Sequence, residues 1–359
     1  MKNKIILMGT DTVAGVAPQI MKAIIRASNA KMLPYGNDSY TKNLKKVIRK
    51  VFEKNDLEII PMMSGTASNA LAISSFLKSY EMILCHDEAH INRDEGGAPE
   101  FFSCGGKLIN IINNSGKLTA HDIENKINKI NFKNKEKSKI SGVSITQLAE
   151  NGTIYSTDEI LQISKLCKKN NIYLHMDGAR FANALAFQNK LSPAEASWKI
   201  GVDCLSLGAT KNGALAAEVI IFFNSKLAAE AMHRIKKTGH VIPKTRFISA
   251  QLYAWFKNNL WLELAQKANQ KAKYFSDKIS KMNDFELMYP THGNEIFLKV
   301  KKKIYEEILK LNIVPNLWSK VDNNEFEIRF VVSFDTKMAE LNKILSRLKK
   351  LNSECKSVV

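Results

Sequence analysis

Apolar positions along the chain fall into two registers. Short runs rich in Ile, Leu, Val and Met recur at 58–63, 82–85, 107–112, 142–147, 172–176, 202–207 and 219–223 and read as strands. Pro61 argues against the first of them. Between the runs, apolar residues recur at helical spacing. One helix, PQIMKAIIRAS, starts at Pro18; a basic amphipathic one covers 41–54; others cover 67–78 and 123–130. Ser156-Thr157-Asp158-Glu159 is a capping-box start to a helix reaching about Lys169. Leu33 to Asp38 is a turn-rich loop, and the Lys/Asn-rich 131–139 is expected to be exposed. Apolar strands separated by helices predict a mainly parallel sheet buried on both faces, with any site at the strands' carboxyl ends. Past about Lys237 the pattern changes. Long helices at 246–258 and 261–282 precede a strand at 295–300, a helix at 302–311, a strand at 327–333 and a helix at 337–351. The expected division is an N-terminal arm (1–16), a large domain (17–245) and a small C-terminal α/β domain (246–359).

Composition narrows the class. A chain of 359 residues with 45% hydrophobic and 25% charged residues has ample core for a globular protein. No apolar run approaches the roughly 20 residues of a membrane span. The start, MKNKIILMGTDTVAG, has no extended apolar region or cleavage site, so a cytoplasmic protein without a signal peptide is expected. The five cysteines are scattered and lack C-x-x-C spacing, which argues against a disulfide framework or a zinc site. A net charge of +18 would suit a nucleic-acid partner. Its lysines, however, are spread over helical and exposed stretches without interleaved aromatics, and neither nucleic acid nor membrane is expected as a partner.

Candidate chemistry gathers between His175 and Glu218. Asp177 ends an apolar strand, where a carboxylate is costly without a partner. A protonated pyridine nitrogen is one such partner; capping of the next helix is the other use. Lys211 follows a second strand in Thr-Lys-Asn-Gly, where small neighbours allow a ligand close approach. Such a lysine is either a Schiff-base amine or a loop lysine. Ser64-Gly65-Thr66 before a helix is either a phosphate cradle or an ordinary cap. His86 and His90 have the His-x3-His spacing of a metal pair, and His90 could instead stack on a flat cofactor or have no special task. Arg329 is either a surface strand residue or a carboxylate clamp.

Taken together, LMGTDTVAGVAPQIMKAI, LPYGND, MMSGTASNALAI, HDEAHINRDEGGAPEFF, TQLAENGTIYS, HMDGARFANALA, SLGATKNGALAAE, KTRFISAQ and IRFVVSF resemble the threonine aldolase family. The resemblance runs nearly the full length. It implies an α/β fold of fold type I, aspartate aminotransferase-like, and pyridoxal 5′-phosphate (PLP) as cofactor. It also implies a lyase that splits L-threonine or L-allo-threonine, and related β-hydroxy-α-amino acids, into glycine and an aldehyde. Aminotransfer or β-elimination on the same scaffold is the alternative. By the resemblance, Lys211 bonds the cofactor and Asp177 faces its ring nitrogen. His90 stacks on the ring, and Gly65 and Thr66 take the phosphate. Lys244, or in its place Arg246, can reach the phosphate. Arg180 and Arg329 hold the substrate carboxylate with help from Thr10, while Tyr35 reaches toward the site across a subunit boundary. Many members carry a histidine where this chain has Glu150, which leaves His90 and Glu150 as the alternatives for the base at the β-hydroxyl. The resemblance implies a homo-oligomer, a dimer of dimers with shared sites.

Overall fold

In the computed structural model, residues 5–29, 31–133 and 139–354 are described. A short strand, β1 (Ile6–Leu7), opens the chain. The central sheet comprises β2 (Glu58–Met62), β3 (Glu81–His86), β4 (Lys107–Ile111), β5 (Lys139–Thr146), β6 (Tyr173–Gly178), β7 (Cys204–Gly208) and β8 (Glu218–Phe222). Their order is β2-β8-β7-β6-β5-β3-β4. Every neighbouring pair is parallel except those of β8, which runs antiparallel to both β2 and β7. The amino end of β8 therefore shares a rim with the carboxyl ends of the other six strands. Pro61 is reconciled with a strand because β2 is an edge of the sheet, where one missing N–H leaves the rest of the ladder intact.

The remaining strands are β9 (Glu286–Leu287), β10 (Glu295–Lys301), β11 (Ile313–Val314), β12 (Asn316–Lys320) and β13 (Glu325–Val331). They build an antiparallel sheet in the order β12-β13-β10-β9, while β11 pairs with β1 in parallel. The expected arm is thus partly a strand, and it then turns through a short 3-10 segment at Asp11–Val13.

The long predicted strands and helices are present within a few residues of their expected ends. Of the Lys/Asn-rich run, Asn131 and Phe132 end the helix Ala120–Lys133 and are exposed, whereas 134–138 lie outside the described residues. Periodicity missed the helices His90–Arg93, Ala98–Phe102, Phe181–Gln188 and Ser225–Arg234. The third, FANALAFQ, buries Phe181 through Leu185 and so has no polar face in its first half to signal amphipathicity. β9, β11 and β12 were also missed; β9 and β11 have two residues each and show no alternation.

Packing ties the two sheets through one helix. Leu260, Trp261, Leu264 and Ala265 of Leu260–Ile279 pack with the core under the central sheet. Ala272, Phe275 and Ile279 of the same helix pack with the smaller sheet. The helix Arg246–Phe256 sends Ile248, Leu252 and Trp255 into the larger core, although the expected small domain begins at 246. Ile6 and Met8 of the arm belong to the smaller core. Among the described residues, no helix is long and apolar enough to cross a membrane.

Candidate active site

The rim at the strands' carboxyl ends opens into a cavity lined by residues from five of the six parallel strands. Asp177 enters from the end of β6, and Ser64, Gly65, Thr66 and Asn69 from the turn and helix after β2. His90 and Glu95 follow β3, Thr146 ends β5 with Leu148 and Glu150 just beyond it, and Thr210 and Lys211 follow β7. Glu218 comes from the amino end of the reversed β8.

Asp177 is only 4% exposed, yet its carboxylate is satisfied. The Asn69 side-chain N–H donates to Oδ2 at 2.7 Å and the Ala179 backbone N–H to Oδ1 at 2.9 Å. The Asn69 amide also donates to Glu95 Oε1 at 2.9 Å, and the same oxygen meets His90 Nδ1 at 3.0 Å. Asp177, Asn69, Glu95 and His90 thus form one chain of polar contacts. Two residues before Asp177 on the same face, His175 is held by the hydroxyls of Ser144 and Ser206 at 2.9 and 3.0 Å. Burial lowers its pKa to about 4, so it is neutral. The helix Gly65–Ser74 is capped by Ser64, whose hydroxyl accepts from the Ala67 N–H at 3.3 Å. A Cβ added at Gly65 would meet nothing within 4 Å, so the first turn faces open space.

Lys211 stands on a short 3-10 turn, Thr210–Asn212, that is fastened from three sides. The Asn212 amide donates to Trp261 O at 2.8 Å, Trp255 Nε1 donates to Asn212 O at 3.0 Å, and Ala17 N donates to Gly213 O at 2.9 Å. Gly213 has φ +96, and a Cβ there would lie 2.8 Å from Leu264 Cδ1. The positive φ calls for glycine, and a Cβ would in addition require Leu264 to shift.

Two glutamates of the cavity are pushed toward their neutral forms. Burial raises the Glu150 carboxyl, with the Asp177 charge adding to it; burial likewise raises Glu95 against the opposing pull of His90. The hydrogen bond to Glu95 in turn raises His90. Glu150 Oε1 accepts the His90 backbone N–H at 3.1 Å.

Arg180 is 7% exposed. Nε and Nη2 donate to the two oxygens of Asp11 at 2.8 and 3.1 Å, and Nη1 lies 3.2 Å from Glu295 Oε1. Burial disfavours its charge, but Asp11 and Glu295 outweigh that and raise the guanidinium. Asp11 is lowered: burial opposes its charge and Arg180 and Lys211 together overcome that.

Of the residues singled out from the sequence, Gly65, Thr66, His90, Glu150, Asp177, Arg180 and Lys211 line this cavity. Thr10, Tyr35, Lys244, Arg246 and Arg329 do not. Thr10 uses its hydroxyl to accept from Thr12 N at 3.2 Å, and it is Thr12 that reaches the wall. Arg329 meets Glu295 at 3.1 Å and Gly9 O at 3.2 Å, with its guanidinium over the Trp318 ring. Arg246 donates to Ala27 O at 3.2 Å, holding the first helix. Lys244 is exposed, and Tyr35, 59% exposed with φ +56, is bonded through its N–H to Pro243 O at 3.0 Å. The two therefore sit together on the surface. His86 and His90 engage different partners, Asn113 and Glu95. Asn69, Glu95, Thr12 and Glu218 escaped the sequence reading. Glu95 follows His90 by five residues, which is a faint signal; Glu218 and Asn69 offer none.

The model of the beta-eliminating lyase family matches residues 8–303. A low-specificity L-threonine aldolase of Pseudomonas sp. (strain NCIMB 10558) is 36% identical over 344 residues, covering 96% of this chain and 97% of that one. Another, from Pseudomonas aeruginosa, is 38% identical over 299 residues, 83% and 85% of the two chains. Among solved structures, the Leishmania major threonine aldolase superposes with a TM-score of 0.91 at 26% identity, covering 97% of this chain and 99% of that one. A histidinol-phosphate aminotransferase of Clostridium acetobutylicum (TM-score 0.73, 16% identity, 98% and 100% covered) shares the fold. The chain belongs to the beta-eliminating lyase family, and within it to the branch of the low-specificity L-threonine aldolases. Its fold is that of the fold-type-I PLP enzymes, and PLP is the cofactor of the family. The cavity suits that group: it offers a primary amine in Lys211, a buried, doubly bonded carboxylate in Asp177 and an open helix N-terminus at Gly65 and Thr66.

Proposed function

We infer that the protein cleaves L-threonine or L-allo-threonine to glycine and acetaldehyde with PLP. The observation that carries this is the meeting of Lys211, Asp177, His90 and Arg180 in one cavity of a chain so similar to low-specificity L-threonine aldolases. When bound, the cofactor supplies an electron sink for breaking the Cα–Cβ bond. Lys211 is the amine that holds it. Asp177, kept in place by Asn69 and Ala179, would favour a proton on the cofactor's ring nitrogen. Gly65 and Thr66 present the helix N-terminus to the phosphate. Arg180 takes the substrate carboxylate, its charge secured by Asp11 and its orientation by the two-point bond to that residue. Arg329 acts with it through their shared contact, Glu295. One of His90 and Glu150 would receive the β-hydroxyl proton: the backbone bond between them places both at one wall, and each has a pKa raised from its ordinary value.

The same reading covers assembly and location. Thr10, Tyr35 and Lys244 have no place in the cavity of their own chain, and Tyr35 holds a backbone conformation unusual for a tyrosine. Tyr35 and Lys244 fit a site completed by a second copy, in a homodimer paired into a tetramer. A large cofactor-binding domain and a small C-terminal one would then share the helix Leu260–Ile279. The cysteines Cys85, Cys104, Cys167 and Cys204, all unpaired, favour the cytoplasm.

The test is purified protein given L-threonine or L-allo-threonine, with acetaldehyde coupled to NADH oxidation, with and without added PLP. Cleavage dependent on PLP is expected, with Lys211→Ala losing both activity and the borohydride-reducible chromophore. A variant that keeps both would remove the lysine from its role. A requirement for a keto acid would point to aminotransfer instead.

A further inference from the structure

Glu218 is an acid of the cavity wall that the reaction described above leaves without a task. It is 6% exposed, and the backbone register places it beside Gly208 in β7 and Met62 in β2. Residues paired across adjacent strands project to the same face, so its side chain lies on the face that carries Asp177, Ser206 and the missing side chain of Gly208. That space is filled by Glu218 itself: a Cβ at Gly208 would lie 2.8 Å from Glu218 Oε2 and 2.9 Å from Ala179 Cα. The carboxylate therefore has a built seat. Its Oε1 accepts, at 3.4 Å, from the backbone N–H of Thr210, the residue immediately before Lys211.

The charged groups around it are few. Lys211 attracts its negative form and Asp177 opposes it. The helix Gly65–Ser74 contributes no charged residue, and Glu58 on β2 is taken up by Lys45 and Arg49 at the other end of that strand. Lys211 in turn acts electrostatically on Asp11, His90 and Glu150 as well as on Glu218. Burial pushes the Glu218 carboxyl up to about 7, so its charge changes within the working range of a cytoplasmic enzyme.

We propose that Glu218 is a positioning residue for Lys211: it fastens the start of the lysine's turn through Thr210 and, by gaining or losing a proton, sets the proton affinity of the lysine nitrogen. Ionised, it favours the protonated nitrogen through space; neutral, it withdraws that support while keeping its seat. This rests on Lys211 being the cofactor's lysine.

The test is a pH titration of the cofactor–lysine absorbance band in the PLP-loaded wild type and in Glu218→Gln, which keeps shape and an acceptor for Thr210 but cannot ionise. The midpoint is expected to fall by about one pH unit in Glu218→Gln, the size of one partly screened charge nearby. Glu230→Gln, on an exposed helix and paired with Arg234, is the control and should keep the wild-type midpoint. An unchanged midpoint in Glu218→Gln, or an equal shift in the control, would overturn the proposal. If Glu218→Gln does not fold, Glu218→Asp replaces it: drawing the charge back by one methylene should lower the midpoint, and a wild-type value would overturn the assignment. Absence of any borohydride-reducible band in the wild type would instead sink the reading of Lys211, and this inference with it.

Discussion

Asn69 holds the acid end of the cavity with one amide group. Its Nδ2 bonds both Asp177 and Glu95, so removing it leaves two buried carboxylate oxygens without that donor. Asn69→Leu is expected to weaken PLP binding by about tenfold or more, read by absorbance titration of the apoprotein, because a lost bond to a buried charge is worth about 1–3 kcal/mol. Unchanged affinity would mean that Ala179 alone suffices for Asp177. The sequence could point to Asp177, Lys211 and His90 because each sits among telling neighbours: a strand end, a Thr-Lys-Asn-Gly turn, a dense acidic stretch. It could not point to Asn69, which meets Asp177 across 108 residues of chain. Arg329 was legible as an arginine in a strand, but its contacts with Glu295, Gly9 and Trp318 arise only where β13, β10, the arm and β12 converge.

The turn that carries Lys211 depends on elements far from it. Asn212 and Gly213 are tied to Trp261, Trp255 and Ala17, so two helices and the chain before a third hold one 3-10 turn. Gly213→Ala forces a Cβ onto Leu264 at a φ that L residues rarely adopt. It is expected to cost about 1–3 kcal/mol in a denaturant melt of the apoprotein and to lower cofactor occupancy; a melt within error of wild type would mean that the turn relaxes freely. A helix start with a purely local cause behaves differently. Ser156 and Glu159 form the predicted capping box, closed by bonds of 3.2 and 2.7 Å. Ser156→Ala should cost about 1 kcal/mol of stability with no change in cofactor binding. A loss of binding in that variant would show that the helix Thr157–Lys169 is coupled to the cavity. This start was readable because both partners lie within four residues; the helix Phe181–Gln188 was not, because its first half is buried all round and shows no exposed polar face.

Across the whole molecule, buried acids make stability depend on pH in two opposite senses. Glu218 has a folded pKa of about 7 against an ordinary 4.5. Its contribution is fully present below pH 4.5 and is lost as pH rises toward 7, by on the order of 3 kcal/mol in the apoprotein. Asp11 is depressed below 3.8, so its contribution is present above that value and disappears as pH falls through the depressed one. Melts of the apoprotein from pH 4.5 to 7.5 should therefore decline less steeply for Glu218→Gln than for wild type; parallel curves would count against a raised Glu218.

Assembly is tested by mixing two inactive variants, Lys211→Ala and Tyr35→Ala. If Tyr35 serves the neighbouring site, hybrids hold one intact site per dimer and regain part of the wild-type activity. A mixture no better than its components would confine Tyr35 to its own chain.

Local pattern was enough to read the succession of central strands, the helices with a polar face and the reactive side chains at strand ends, because each rests on residues close in sequence. The resemblance of the motifs supplied the expected family and cofactor. The meeting of those groups depended on the sheet order β2-β8-β7-β6-β5-β3-β4. That order is a matter of long-range pairing, and no spacing along the chain encodes it. It brings Asn69 under Asp177, and by reversing β8 it turns Glu218 toward Lys211. The arm runs beside the smaller sheet until Asp11 locks Arg180 across 169 residues.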